Sequence, residues 1–300
     1  MLLTDDQKML QETAASFLTD EGRPAQQLRH WRDTGCSDGF GTELWRQFGE
    51  LGLTAICIPE SQGGLGLGAT EAALVLEEIG RNLTPSPFLM SAVVAARAIE
   101  GTAHGERWYP HILGGEAVLA LAVDEGPRHD PETIALEARR HGNGFVLNGS
   151  KQFVVQGASA DMIVAAARTE NGLTLFAVPK GAAEVENVTL VDGSKAARMR
   201  FDDVALDADA VIGEVDGGWV PLSRAAFELS TSVALSTSSP DVPFGTANSV
   251  SPSVSPGAPP VRASVSTMSA ELPCTTNCLY PLRTKPLPCR FASSAVCSGA

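Results

Sequence analysis

Residues 142–178, GNGFVLNGSKQFVVQGASADMIVAAARTENGLTLFAV, carry the pattern on which the fold turns. Phe145-Val146-Leu147 is a short apolar run that meets Asn148-Gly149. A second run covers 151–155 and is broken by Gly157-Ala158-Ser159. A third covers 162–167, and Asn171-Gly172 leads into a fourth over 173–178. Asn-Gly between short apolar runs is a hairpin signal, because both residues tolerate positive φ. The stretch reads as strands joined by tight turns, with turns expected at Asn148-Gly149 and Asn171-Gly172.

The sequence before it is helical. Thr4-Asp5-Asp6-Gln7 has the form of a capping box, followed by Leu10, Ala14, Phe17 and Leu18 on one helical face. Gly22 and Pro24 stop that helix, and a short second one is expected within 24–31. Leu44, Trp45, Phe48 and Leu51 mark a third from Thr42, capped by Gly52. After the link at 53–58, Pro59-Glu60-Ser61-Gln62 runs into a glycine-rich stretch, 63–68. A strong helix follows over 69–79, with Ala73, Leu76 and Ile79 inward and Gly80 as cap. Pro85 and Pro87 precede an apolar helix at 88–99, and a short helix at 104–113 carries Trp108 and Tyr109.

The period then shortens. Strands are expected at 117–123, 133–138 and 188–191. Arg198-Met199-Arg200-Phe201 alternates as a half-buried strand should, with a turn at Asp202-Asp203. The β region continues over 205–211. Gly217-Gly218-Trp219 opens a further helix with Val220, Leu222, Ala225, Ala226 and Leu229. From Ser230 the chain is rich in Ser, Pro, Thr and Val. Its last seventy residues hold only six charged side chains, too few for ordinary helix surfaces, and Pro recurs too often for helices to persist. The chain is therefore read as α+β. An N-terminal helical bundle (1–115) is followed by an antiparallel β-barrel-like middle domain (116–216). The start of a C-terminal helical domain (217–229) and a disordered or aberrant tail (230–300) complete it.

A net charge of −13 argues against a nucleic-acid surface or an anionic membrane surface, both of which need clustered Lys and Arg. No apolar run approaches the roughly 20 residues of a membrane span, and the first residues, MLLTDDQK, lack the pattern of a secretory signal. The expected location is the cytoplasm. Cys36 and Cys57 read as small buried hydrophobes. Cys274, Cys278, Cys289 and Cys297 fit no common zinc spacing and have no nearby His, so no metal site is expected.

The ordered motifs resemble the acyl-CoA dehydrogenase family. Pro59-Glu60-Ser61-Gln62-Gly63-Gly64-Leu65-Gly66 is similar to its Pro-Glu-x-x-Gly-Gly-x-Gly segment. Leu76-Glu77-Glu78-Ile79-Gly80-Arg81 is similar to its Glu-Glu-Leu/Ile-Gly helix end. Leu147-Asn148-Gly149-Ser150-Lys151-Gln152-Phe153 resembles its Leu-Asn-Gly-x-Lys-x-Trp/Phe. Ala160-Asp161 with Arg168, Phe201-Asp202-Asp203-Val204 and Ile212-Gly213-Glu214 keep the family's order and spacing over residues 1–229.

The resemblance implies FAD-dependent α,β-dehydrogenation of an acyl-CoA thioester, with electron-transferring flavoprotein as the usual acceptor and a homo- or hetero-oligomeric assembly. It assigns Leu121, Val123 and Asp124 to the neighbourhood of the isoalloxazine, and Phe153, Val154 and Val155 to the second flavin segment. Two positions depart from the family. Asp124 stands where Thr or Ser is usual, and a carboxylate accepts but does not donate. Val155 lacks the expected hydroxyl. The family's C-terminal domain, which supplies the usual catalytic glutamate, is not legible after Leu229, so no catalytic residue is assigned. A reading-frame shift, a divergent tail and an artificially altered end all account for that. The resemblance thus leaves two readings: a dehydrogenase inactive as this chain alone, or a non-catalytic subunit that pairs with a complete one.

Other features have plain readings. The 63–68 glycines lie between helices rather than in a βαβ unit, which favours a tight turn over a phosphate cradle. Glu77-Glu78 reads as a solvated helix face, and the five histidines as surface residues. The four tryptophans read as core or interface. Phe153 is open between flavin packing and β-core.

Overall fold

The structure, a computed structural model, describes residues 3–20 and 26–236. The expectations for 230–300 beyond Ser236, the four distal cysteines and the Gly22–Pro24 break lie outside the described residues.

Helix α1 (Asp5–Asp20) starts with the expected capping box. The Thr4 N–H donates to Gln7 Oε1 at 3.0 Å, and the Gln7 N–H to Thr4 Oγ1 at 3.2 Å. Its buried face, Ala14 and Leu18, packs on α4 (Ala69–Arg81). Helix α2 spans Gln26–Asp33, and α3 (Thr42–Glu50) buries Leu44, Trp45 and Phe48. Leu51 is 43% exposed rather than inward, because the helix has already ended there. Gly52 then takes φ +73° just past the helix end. Helix α4 runs through Gly80 to Arg81 and is capped by Asn82, two residues later than expected. Its inward face holds Ala72, Ala73 and Val75, with Leu76 and Ile79 at the margin.

Glu78 is a further correction. It is buried rather than solvated, because α1 covers it: Gln11 Nε2 donates to its carboxylate at 3.2 Å. The apolar 88–99 segment is a π-helix over Phe88–Ala95 that tightens into α5 (Ala96–Ala98), not a regular α-helix. It is buried nearly all round, which matches its unbroken apolar sequence. Helix α6 (Ala103–Leu113) follows, capped by Thr102.

The glycine-rich stretch is a tight turn. The N–H groups of Leu65, Gly66 and Leu67 donate back to Ala55, Ile58 and Ile56. A Cβ at Gly64 would stand 2.1 Å from the Ile58 carbonyl oxygen. Three of these backbone donors are therefore spent on the turn itself.

The second half is one sheet. Its strands are β1 (Leu119–Ala122), β2 (Glu137–His141), β3 (Gly144–Val155), β4 (Met162–Arg168), β5 (Leu173–Pro179), β6 (Glu184–Thr189), β7 (Lys195–Leu206) and β8 (Val211–Ile212). The order is β6-β7-β3-β2-β4-β5-β8, with β1 paired to β4. The sheet is mixed and open, where an antiparallel, barrel-like domain was expected. β1 pairs parallel to β4, and β2 meets the same edge of β4 further along, at Glu137 and Arg168. Parallel pairing needs a crossover, and the β2–β3 hairpin supplies it.

The largest correction concerns Asn148-Gly149. β3 is one continuous strand of 12 residues. Opposite Asn148, β7 also runs straight through Asp202-Asp203. Both expected turns are thus halves of one bulge. Asn148 Nδ2 donates to Asp203 Oδ1, and the Asp203 N–H donates to Asn148 Oδ1, each at 2.9 Å. Asp203 takes φ +49° there. The expected turn at Asn171-Gly172 does join β4 to β5. The strand expected at 133–138 begins only at Glu137, after a 3-10 turn over Pro131–Thr133. β6 lies at Glu184–Thr189 rather than 188–191.

Helices and sheet are joined at β1. Trp45 Nε1 donates to the Ala117 carbonyl at 3.2 Å, and the Leu119 N–H donates to Ser91 Oγ of the π-helix at 3.0 Å. Helix α7 (Trp219–Ser236) returns to pack on α4, the π-helix and α5. It extends past Leu229, where the sequence pattern stops.

Candidate functional site

Between β1 and β2 the chain leaves the edge of β4 over 123–136 and returns to it. This excursion is pinned from beneath by Lys151, whose side chain is fully buried. Its Nζ donates to the Val123 carbonyl at 2.9 Å and to Glu125 Oε1 at 2.7 Å. The Glu125 carboxylate also accepts from the Ala135 and Leu136 N–H groups at 2.7 and 2.8 Å. One ion pair therefore ties together both ends of the excursion. Burial pushes the Lys151 ammonium down from its ordinary value, and Glu125 opposes that shift.

Strand β3 reaches the same place from the other side. The Gln152 N–H donates to the Asp124 carbonyl at 2.7 Å. Beyond Lys151, β3 carries one residue more than β7: Lys151 pairs with Met199, and Val154 with Ala197. Such a bulge reverses which side chains face inward. Phe145, Leu147 and Lys151 are buried at odd positions, then Val154 is buried at an even one. Phe153 is left outward, 45% exposed, with φ +53°. Backbone strain of this kind gathers at functional sites. Three residues on, Gln156 is 94% buried by its 6% exposure, and its Oε1 has no hydrogen-bond partner.

The structure therefore brings together the two segments singled out in the sequence. Leu121 is partly buried, and Val123 is buried with its carbonyl taken by Lys151. Asp124 is held by His129 Nδ1 at 2.7 Å. Val154 points into the core and leaves only its backbone for a ligand, whereas Phe153 and Val155 are accessible. A cavity of about 240 Å³ opens beside the excursion, lined by Val123, Glu125, Arg128, Asp130, Thr133 and Ile134. A larger one, about 690 Å³, lies between β2 and the β4–β5 turn. Its charge is balanced: Arg139 pairs with Glu137, and Arg168 donates to the Ile134 and Glu132 carbonyls. Among the described residues no cluster of His, Cys, Asp and Glu is arranged to hold a metal.

Sequence reasoning gave no role to the Lys151–Glu125 pair. A signal was there: Lys151 shares its parity with Phe145 and Leu147, so an unbroken alternation turns it inward.

Residues 4–116 match the acyl-CoA dehydrogenase N-terminal domain, and residues 123–204 match the acyl-CoA dehydrogenase middle domain. The chain belongs to the acyl-CoA dehydrogenase family. Mitochondrial isovaleryl-CoA dehydrogenase of Pongo abelii is 29% identical over 236 residues, covering 72% of this chain and 55% of that protein. Acyl-CoA dehydrogenase FadE12 of Mycobacterium tuberculosis is 28% identical over 230 residues, covering 71% and 58%. The chain thus spans a little over half the length of these curated relatives. Among solved structures, a glutaryl-CoA dehydrogenase from Mycobacterium smegmatis in complex with FADH2 has the same fold. Its TM-score is 0.68 at 22% identity, covering 78% of this chain and 62% of that one. The ChsE4-ChsE5 complex from Mycobacterium tuberculosis gives 0.63 at 23%, covering 76% and 61%. In this family member the paired acyl-CoA dehydrogenase domains meet at β1, beside the clamped excursion.

Proposed function

We propose that this chain provides the flavin-binding face of an acyl-CoA dehydrogenase acting on an acyl-CoA thioester. The observation that carries the reading is the junction of the β1–β2 excursion and the β3 bulge, fixed by Lys151 and Glu125. The residues present suit the isoalloxazine of FAD. Phe153 offers an accessible aromatic face, and Gln156 Oε1 is a buried acceptor without a donor, where a ring N–H is a chemical match. Bound FAD would supply the hydride acceptor for oxidation of the Cα–Cβ bond.

This chain's own groups then have defined tasks. Phe153 and the backbone of 153–155 hold one side of the ring system. Leu121 and the 123–125 backbone bound another, and Lys151 keeps that backbone from moving. Removal of the α-proton needs a base. The family resemblance assigns it to the C-terminal domain, and no described residue is assigned to it here. On this reading the chain alone is inactive. Electron-transferring flavoprotein is the proposed acceptor, and the assembly is a homo- or hetero-oligomer.

A second reading is favoured by two side chains. Asp124 is occupied by His129, and Val155 offers no hydroxyl. Both suit a non-catalytic subunit paired with a complete dehydrogenase. The test is flavin content: the purified chain is titrated with FAD and its visible spectrum recorded. Stoichiometric binding that bleaches with an acyl-CoA supports an active flavoprotein and refutes inactivity. Binding without bleaching supports the incomplete enzyme. No binding refutes the flavin reading and leaves the flavin-free subunit.

A further inference from the structure

Helix α7 packs on α4, the π-helix and α5, with Leu222 and Ala225 buried. Val220, Ser223, Arg224 and Phe227 follow one another at helical spacing and share the opposite stripe. Val220 is 67% exposed and Phe227 63%. One exposed apolar side chain is ordinary. Two on a single stripe, one on each side of a small residue, form ridges with a gap between them, which is how helices pack on one another. The small residue here is Ser223. Arg224, the charged member of the stripe, is held back on the end of α5. Its guanidinium donates to the Glu100 carbonyl at 3.4 Å and lies 3.8 Å from the Glu100 carboxylate.

The position of α7 in the chain points to what covers this stripe. The domains matched here are the N-terminal and the middle one, up to residue 204. More than two fifths of each curated relative lies outside its match to this chain. Most of that remainder therefore follows the middle domain, and α7 is the described element nearest to it in sequence.

We propose that the Val220–Phe227 stripe docks the part of an acyl-CoA dehydrogenase that follows the middle domain, supplied by a second polypeptide. Two chains then complete one subunit. The occupant brings an apolar helix face, one ridge of which enters the gap at Ser223 with the helix axes about 8–10 Å apart. The inference rests on family membership and not on flavin content, so a chain that binds no FAD tests it equally well.

The test co-expresses the full chain with a tagged segment of Mycobacterium tuberculosis FadE12, the part after that protein's middle domain. The photo-cross-linking residue p-benzoylphenylalanine replaces Phe227 in one form of the chain and Leu51 in another. Leu51 is 43% exposed at the end of α3, away from α7, and serves as the control. Mass spectrometry of the irradiated product identifies what lies on each position. The proposal expects the two polypeptides to co-purify, with a cross-link to the FadE12 segment from position 227 and none from position 51. Val220→Asp combined with Phe227→Asp should weaken the pair at least tenfold, since exposed apolar anchors are exchanged for charges. The same double variant should leave the Tm of the chain alone within about 2 °C, as expected for surface positions.

A cross-link from position 227 into residues 237–300 of the same chain overturns the proposal, and so does one to a second copy; each names the true occupant. Failure of the two polypeptides to associate also overturns it. So does a pair that survives the double variant unchanged, because the contact then lies elsewhere.

Discussion

Replacing Glu125 by Gln tests the clamp at its most sensitive point. Lys151 is fully buried and Nζ has two partners, the Val123 carbonyl and Glu125. The substitution leaves a buried ammonium with neutral acceptors only, the Val123 carbonyl and the new amide oxygen. Removing one partner of a buried pair costs about 3–5 kcal/mol, because the remaining charge is uncompensated. The amide also turns an N–H₂ group towards a site where Glu125 accepts from the Ala135 and Leu136 N–H groups.

Lys151→Met leaves a different remainder. The Glu125 side chain is 18% exposed and keeps two backbone donors, so its charge is partly solvated and partly bonded. The expected cost is smaller, about 2–3 kcal/mol. The double variant should lose less than the sum of the two, by about 2 kcal/mol or more, since no orphan charge remains. The assay is urea unfolding followed by tryptophan fluorescence, with limited proteolysis of the 123–136 excursion alongside. Additive losses, or a Glu125→Gln cost below about 1 kcal/mol, would refute a buried, energetically coupled clamp.

Three other outcomes follow from particular contacts. Gly64→Ala should destabilise by about 2 kcal/mol or more, because the new Cβ meets a backbone oxygen at 2.1 Å; Gly80→Ala, which has open space, is the matched control in the same unfolding assay. Glu71 has its carboxyl held below the ordinary 4.5: burial acts to raise it, but hydrogen bonds from Gln7 and from backbone N–H groups outweigh that. A depressed carboxylate stabilises above its unfolded pKa, and that stability is lost as pH falls through the lower folded value. Glu71→Gln should therefore flatten the stability–pH curve below about 4.5, and a parallel curve contradicts this. Phe153→Ala should weaken FAD binding about tenfold by fluorescence titration while shifting unfolding by under ~1 kcal/mol, since the ring is 45% exposed; unchanged affinity removes Phe153 from the flavin site.

Much of this architecture follows from local chemistry. Thr4 and Gln7 close their capping box within one turn of helix, and Gly64 packs against a segment six residues away. Interactions of such short reach need no tertiary partner, so the helix starts and the glycine turn were readable from the residues. The continuous apolar runs of β4 and β5 likewise announced buried strands. The family motifs singled out the two candidate segments, 121–124 and 153–155, without their geometry.

What the sequence left undecided depended on partners far along the chain. Asn148-Gly149 can turn a hairpin or pass along a strand beside a bulge, as it does here with Gly149 at φ +142°. Asp203, 55 residues on, selects the bulge by bonding reciprocally to Asn148. The extra β3 residue before Val154 is visible only against β7, and it decides that Phe153 faces outward. Glu78 is buried because α1 lies over it, and the sheet is mixed because β1 and β2 share one edge of β4. Helix caps and turns are closed by neighbours, so sequence determines them. Strand register and the burial of a charge are closed by the opposing element, so only the tertiary structure could decide them.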